Sequence, residues 1–191
     1  VINSTADAVV IGGGGLFLRD TARNAASGWQ WNIDREKLAA IKVPLIIFAV
    51  GNNRFIDQAD FEPIFRDHLA QTVDQSIFVG LRNHGSIETI KPYLRDDLAA
   101  KITYQPCPTT LSRVLYPNRV PGQQPDKTIA THLIIGKRQR PAGFDADLIY
   151  DRMAQVLQRL RDEDWRLLSA PFARADEGFA ALLEQRGLVD E

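Results

Sequence analysis

Pro44-Leu45-Ile46-Ile47-Phe48-Ala49-Val50 is a continuous apolar run that stops at Gly51-Asn52-Asn53-Arg54. A run this short, rich in β-branched and aromatic residues and closed by turn formers, predicts a strand. It does not alternate polar with apolar residues, which is the pattern of a strand covered on both faces in a parallel sheet. The pattern recurs along the chain. Ala8-Val9-Val10-Ile11 precedes it, closed by Gly12-Gly13-Gly14-Gly15, and four runs follow: Ile77-Phe78-Val79-Gly80-Leu81, Ile102-Thr103-Tyr104, Ile129 to Ile135, and Leu167-Leu168-Ser169-Ala170. Between them apolar residues return at helical spacing. Asp34 is placed to cap a helix carrying Leu38 and Ile41, and Asp60 one carrying Phe61, Ile64, Phe65 and Leu69. Ser86 precedes Ile87, Ile90 and Leu94, a segment that Pro92 must kink or restart. The clearest helix runs from about Ala146 to Asp162, and a last one carries Phe179, Leu182 and Leu183, capped by Asp176 and stopped by Gly187. Strands alternating with helices predict an α/β fold, a Rossmann-like parallel sheet with helices on both faces.

The 191 residues, 45% hydrophobic and 25% charged, suffice for a substantial core and exclude disordered and fibrous classes. Tyr116 to Pro125 contains three prolines and little to bury, so it reads as a linker. The expected division is a first Rossmann-like domain over residues 1–116, a linker over 117–126 and a second domain over 127–191. The second has only two strand–helix units, so an incomplete half is expected there. The chain lacks an initial Met and reaches a strand within eight residues, so a segment upstream of the first domain is expected as well. Lys and Arg number 23 against 24 Asp and Glu, and that near-neutral balance excludes a non-specific nucleic-acid binder. The single cysteine, Cys107, excludes an internal disulfide and a cysteine-built zinc cluster. With no long apolar span and no basic-then-apolar leader, a cytoplasmic location is expected.

Ligands of open parallel sheets bind beyond the carboxyl ends of the strands, so the strand exits are expected to converge on one crevice. Gly12, Gly13, Gly14 and Gly15 allow positive φ and close backbone approach, as a phosphate or sugar ligand needs; the alternative is a tight turn between packed backbones. The tract is neither a dinucleotide fingerprint, whose third glycine would fall at Phe17, nor a Walker loop. Asn52 and Asn53 suit a turn and a hydroxyl-rich ligand equally. Arg82, His84 and a helix start converge near Ser86, as an anion site with a proton-handling group or as a solvated turn capped by Ser86. Lys137, Arg138 and Arg140 concentrate positive charge after the fifth run, either for an anionic ligand or as a solvated loop. Asp20 could bind a sugar hydroxyl, act as a base or cap Thr21. Trp29 and Trp31 alternate so that both rings share one side, as a sugar platform or a packing patch. Cys107 lies between two prolines with no adjacent histidine. His68 falls in a helix and His132 in a strand, without partners at metal spacing, so neither a nucleophile nor a metal site is expected.

In order along the chain, Ile11-Gly12-Gly13-Gly14-Gly15-Leu16-Phe17, Ser27-Gly28-Trp29-Gln30-Trp31-Asn32, Pro44 to Asn53, Leu81-Arg82 with Ser86, and Cys107-Pro108-Thr109 together resemble the polysaccharide pyruvyl transferase family. The resemblance implies two Rossmann-like halves facing a cleft, similar to the GT-B architecture, the second half being incomplete here. It implies transfer of a pyruvyl group from phosphoenolpyruvate to sugar hydroxyls as a ketal, on a polysaccharide or its lipid-linked precursor. Arg82 matches the family's arginine after the third of these strands and Gly12 to Gly15 its glycine tract; Lys137, Arg138 and Arg140 fall where the second half begins. Such chemistry requires cations for phosphate and carboxylate, an acid and a base. Arg82 and the later basic loop would supply charge, and His84 or Asp20 would handle protons. Phosphoenolpyruvate is a donor substrate, no metal or organic cofactor is implied, and a lipid-linked acceptor would bring peripheral membrane association. The family's early glycine-rich first loop and its late Arg-x-His motif have no match in these residues, and a downstream strand–helix block carrying the Arg-x-His motif would complete the cleft. Two further readings fit the same residues: a sugar-nucleotide glycosyltransferase of GT-B type, although no clear acidic ribose signature is present, and a non-catalytic domain binding saccharide or protein through the tryptophan loop.

Overall fold

Four of the apolar runs pair as one parallel sheet in the order β1 (Val9–Gly12), β2 (Leu45–Val50), β3 (Ser76–Leu81) and β4 (Ile102–Tyr104). The computed structural model describes residues 1–19, 24–54, 58–119, 127–135, 143–171 and 177–189, and the chain divides into two compact units, Val1–Arg119 and Val120–Glu191. In the first unit α1 (Ile2–Thr5) precedes β1, α2 (Arg35–Ala40) leads to β2 and α3 (Pro63–Gln75) leads to β3. The connection to β4 is α4 (His84–Ile90), a 3-10 turn over Lys91–Tyr93 and α5 (Asp96–Ala99); beyond β4 come a second 3-10 turn, Pro108–Leu111, and α6 (Ser112–Leu115). Asp34 caps α2 as expected, accepting the Lys37 N–H at 2.8 Å, and Pro92 does restart its segment as 3-10 helix. Asp60 does not cap α3. That helix begins at Pro63 behind Glu62, because proline's fixed φ and missing N–H suit the first helical position. The Asp60 carboxylate instead accepts from the Phe61 N–H, Arg54 and the Tyr93 hydroxyl.

The expectation of helices on both faces is corrected among the described residues. Each connection moves one place in the same direction along the sheet, and right-handed crossovers of that kind all fall on one face. Accordingly Leu38 of α2, Phe65, Leu69 and Val73 of α3, Ile90 of α4 and Leu98 of α5 share a single core with Ile11, Leu45, Ile47, Val79, Leu81 and Ile102. The intervening strand residues point the other way: Val10 is 59% exposed, and Ile46, Phe48 and Phe78 are half-buried. Apolar continuity alone therefore did not report two covered faces.

Trp29 is fully buried in this core, tilted against Phe17 at 4.9 Å and edge-on to Trp31 at 5.8 Å. Packing holds for Trp29, whose burial leaves it no face for a saccharide, while Trp31 is half-buried against the same core. The indole N–H donates to His68 Nδ1 at 3.0 Å, and His68 Nε2 donates to the Ile33 carbonyl at 2.9 Å, which assigns a neutral ring with its proton on Nε2. His68 is thus a satisfied core histidine.

In the second unit β5 (Thr128–Thr131) pairs in parallel with β6 (Arg166–Ser169); α7 (Ala146–Asp162) joins them and α8 (Glu177–Gln185) follows. Tyr150, Ala154 and Leu157 of α7 pack with Leu167, Phe179 and Leu183. The strand is shorter than the apolar run suggested, so His132 follows β5 and does not lie within it. Gly187 takes φ +62 after α8, as a helix stop requires, whereas Asp176 lies outside the described residues. No helix among the described residues is long and apolar enough to cross a membrane.

Replacing His68 by Leu leaves the Trp29 N–H and the Ile33 carbonyl without buried partners, each costing about 1–3 kcal/mol. Urea unfolding followed by tryptophan fluorescence is expected to show a loss of at least about 2 kcal/mol. Burial lowers the His68 pKa from its ordinary 6.5. The unfolded chain then binds the proton first, so wild-type stability falls as pH drops through about 6.5, and the gap to His68→Leu narrows. A gap that stays constant with pH would contradict a neutral buried ring.

Candidate functional site

Because the strands are parallel, all their carboxyl ends lie on one edge of the sheet, and the loops leaving them are tied together. After β1, Gly13 and Gly14 take φ +87 and +89, which only glycine adopts without strain, and a Cβ on either would meet no atom within 4 Å. The tract therefore presents open backbone. It then turns back onto the chain leaving β2: the Gly51 N–H donates to the Gly14 carbonyl at 3.0 Å, the Phe17 N–H to the Gly51 carbonyl at 3.1 Å, and Phe17 and Asn52 form a parallel bridge. The Phe17 side chain, buried against Trp29 and Phe65, anchors this return.

The second exit is bent before it leaves the sheet. Ile47 opposes Val79 but Val50 opposes Leu81, so β2 carries an extra residue there, and buried Ala49 takes φ +53. A bulge next to a strand end re-aims the residues that follow. Asn52 is committed to the chain: its N–H donates to Ser86 Oγ at 2.8 Å, its amide nitrogen to Thr89 Oγ1 at 2.9 Å, and its amide oxygen accepts the Arg54 N–H at 3.1 Å. Asn53 differs. It lies exposed over Gly15, and its Oδ1 accepts from Arg82 Nη2 at 2.5 Å. The Arg82 N–H donates to the Val50 carbonyl at 3.0 Å, and its guanidinium lies across Gly51.

At the third exit the cap of α4 is Asn83, whose Oδ1 accepts the Ser86 N–H at 2.7 Å. Ser86, the cap in the solvated-turn alternative, is buried and accepts the Asn52 N–H instead. The Ser86 and Ile87 N–H groups are consumed by Asn83, so Arg82, and not these two groups, offers donors to an anion. His84 is exposed and stacks on Tyr104 of β4, with ring centroids 4.7 Å apart and planes inclined by 20°. Beyond β4, exposed Cys107 accepts from the Thr109 hydroxyl at 3.1 Å. The Thr109 hydroxyl, then its backbone N–H, and also the Arg82 charge hold the thiol pKa below its ordinary value.

Gly12 to Gly15, Asn52, Asn53, Arg82 and His84 are thus brought to one sheet edge, while Asp20, Lys137, Arg138 and Arg140 lie outside the described residues. Sequence reasoning missed Tyr104, the Arg82 charge near Cys107 and the bulge at Ala49. Nothing in a three-residue strand such as β4 separates a stacking tyrosine from a core one. Asn83, three residues before Ser86, did carry a capping signal. Among the described residues no group of His, Cys, Asp or Glu could hold a metal ion. A groove lined by Arg35, Asp67, Gln71, Asp74 and Arg95 shares no residue with these exits.

A family model described as polysaccharide pyruvyl transferase matches residues 2–180. No curated protein and no solved structure matches the chain.

The lowered thiol pKa makes Cys107 more thiolate-rich near neutral pH than a free cysteine. Its iodoacetamide alkylation rate is expected to rise with a midpoint below the ordinary thiol value. Thr109→Val should move that midpoint upward and slow the reaction at neutral pH, and Arg82→Ala should do so by a smaller amount. A profile unchanged in Thr109→Val would show that the hydroxyl does not stabilise the thiolate.

Proposed function

Because the chain belongs to the polysaccharide pyruvyl transferase family, we propose that the clustered strand exits of its first unit bind phosphoenolpyruvate, whose pyruvyl group is transferred to saccharide hydroxyls as a ketal. The observation that carries this reading is Arg82. Its guanidinium lies across Gly51, to which the open glycine tract is hydrogen-bonded, and it forms no ion pair among the described residues. An unneutralised cation beside accessible backbone suits a small molecule bearing phosphate and carboxylate.

The reaction assigns work to these groups. The donor methylene takes a proton and becomes a methyl group. One acceptor hydroxyl adds to the adjacent carbon, the carbon–phosphate oxygen bond breaks, and the second hydroxyl closes the ketal. Of the two hydroxyl protons, one balances that delivered to carbon and the other leaves with phosphate. Arg82 would stabilise the departing phosphate or the carboxylate, an electrostatic contribution that grows as charge develops. His84, exposed at the same edge, would deliver or remove a proton, with Asp20 as the other acid–base group. A GT-B-like pair of halves, with Lys137, Arg138 and Arg140 adding charge from the second and a lipid-linked saccharide as acceptor, belongs to the same proposal.

Calorimetry with phosphoenolpyruvate tests it. The chain should bind the donor saturably, and Arg82→Ala, by removing charge-assisted hydrogen bonds, should weaken binding about 10- to 100-fold. With a saccharide acceptor, phosphate release should accompany a new methyl singlet in the product's proton spectrum. Binding of a uridine diphosphate sugar with no response to phosphoenolpyruvate would replace this reading with a glycosyltransferase.

A further inference from the structure

The polar partner of Arg82 is an amide, whereas four other arginines of the same unit have a carboxylate within ion-pair distance. Arg19, Arg35, Arg54 and Arg95 each face a carboxylate, of Glu62, Asp67, Asp60 and Asp97 respectively. Arg82 donates to Asn53 Oδ1. A carboxylate in that place would orient the guanidinium and cancel its charge together; an amide oxygen orients it and leaves the charge intact. Two glycines make the arrangement sterically feasible. A Cβ on Gly51 would stand 2.1 Å from Arg82 Nε, and a Cβ on Gly15 would stand 2.1 Å from Asn53 Nδ2. Neither glycine has the positive φ of Gly13 and Gly14, so clearance and not backbone freedom requires glycine there. The four residues form a stack in which Gly15 admits Asn53, Asn53 holds Arg82, and Gly51 lets the guanidinium lie flat.

We propose that Asn53 is a positioning residue that fixes the direction of Arg82 while preserving its charge for an anionic ligand, and that Gly15 and Gly51 are the clearances this geometry needs. The inference rests on the reading that Arg82 binds phosphoenolpyruvate and adds how that arginine is made ready. It assigns Asn53 no contact with the ligand.

Asn53→Asp separates positioning from structural support. The change is isosteric and keeps the acceptor, so a purely structural Asn53 would leave the fold and donor binding intact. The proposed role demands the opposite for binding: the new carboxylate pairs with Arg82, phosphoenolpyruvate affinity measured by calorimetry falls at least about tenfold, and the thermal midpoint stays level or rises. Gly51→Ala changes no polar group and pushes aside a flexible side chain, so it should weaken the donor comparably in a folded protein, and it decides the matter should Asn53→Asp not fold. Wild-type affinity in a folded Asn53→Asp or Gly51→Ala protein, with Arg82→Ala impaired, overturns this inference and leaves the donor-binding reading standing. Wild-type affinity in Arg82→Ala, or no donor binding by the unaltered chain, overturns both.

Discussion

The glycine tract after β1 is hydrogen-bonded to the chain leaving β2, and the organisation of the sheet edge follows from that pairing. Four consecutive glycines have no preferred course of their own, and ordering them costs more backbone entropy than ordering other residues. The cost is met at the far end of the tract, where burying Phe17 against Trp29 and Phe65 contributes about 1.5–3 kcal/mol and the Gly14–Gly51 and Phe17–Gly51 hydrogen bonds add to it. Once the two exits are joined, Asn53 comes to rest over Gly15, and Asn52 reaches Ser86 and Thr89 of α4. Three consecutive strand ends are thereby coupled through backbone and short side chains, which are stiffer than long ones.

The sheet that carries this edge is unusual for strands so uniformly apolar. Its order steps steadily from β1 to β4, so the crossovers fall on one face and the opposite face retains partly exposed Val10, Ile46, Phe48 and Phe78. The direction of the exits does not depend on which face is covered. Parallel strands bring their carboxyl ends together whatever lies above or below them, and the bulge at Ala49 then turns the β2 exit before it reaches Asn52 and Asn53.

Electrostatics at the edge follow from pairing as much as from composition. The chain is close to neutral, and several of its surface arginines are matched by carboxylates, so net charge says little about where an anion would go. Arg82, at the strand exits, is held by a neutral partner, Asn53. Its field reaches Cys107, whose thiol pKa is lowered chiefly by Thr109 and in part by this guanidinium. The His84–Tyr104 stack adds an exposed imidazole on the same edge, in a chain that belongs to the polysaccharide pyruvyl transferase family.

Strand and helix identity, the glycine tract, the caps at Asp34 and Gly187, and the family itself were determined by the sequence, because each depends on local propensity, short-range periodicity or the order of short motifs. Misreadings began where a residue had more than one local use. Asp60 and Ser86 both fit a cap, yet Pro63 and Asn83 fit the helix starts better and freed them for other bonds. Trp29 and Trp31 fit a platform as well as a core until His68 and Phe17 arrived from distant parts of the chain. Only the tertiary structure decided that Arg82 meets Asn53, separated by 29 residues, that Tyr104 lies under His84, and that the described helices of the first unit cover one face of its sheet. Those facts depend on strand order and on the bulge in β2, and such long-range pairings leave no trace in the spacing of neighbouring residues.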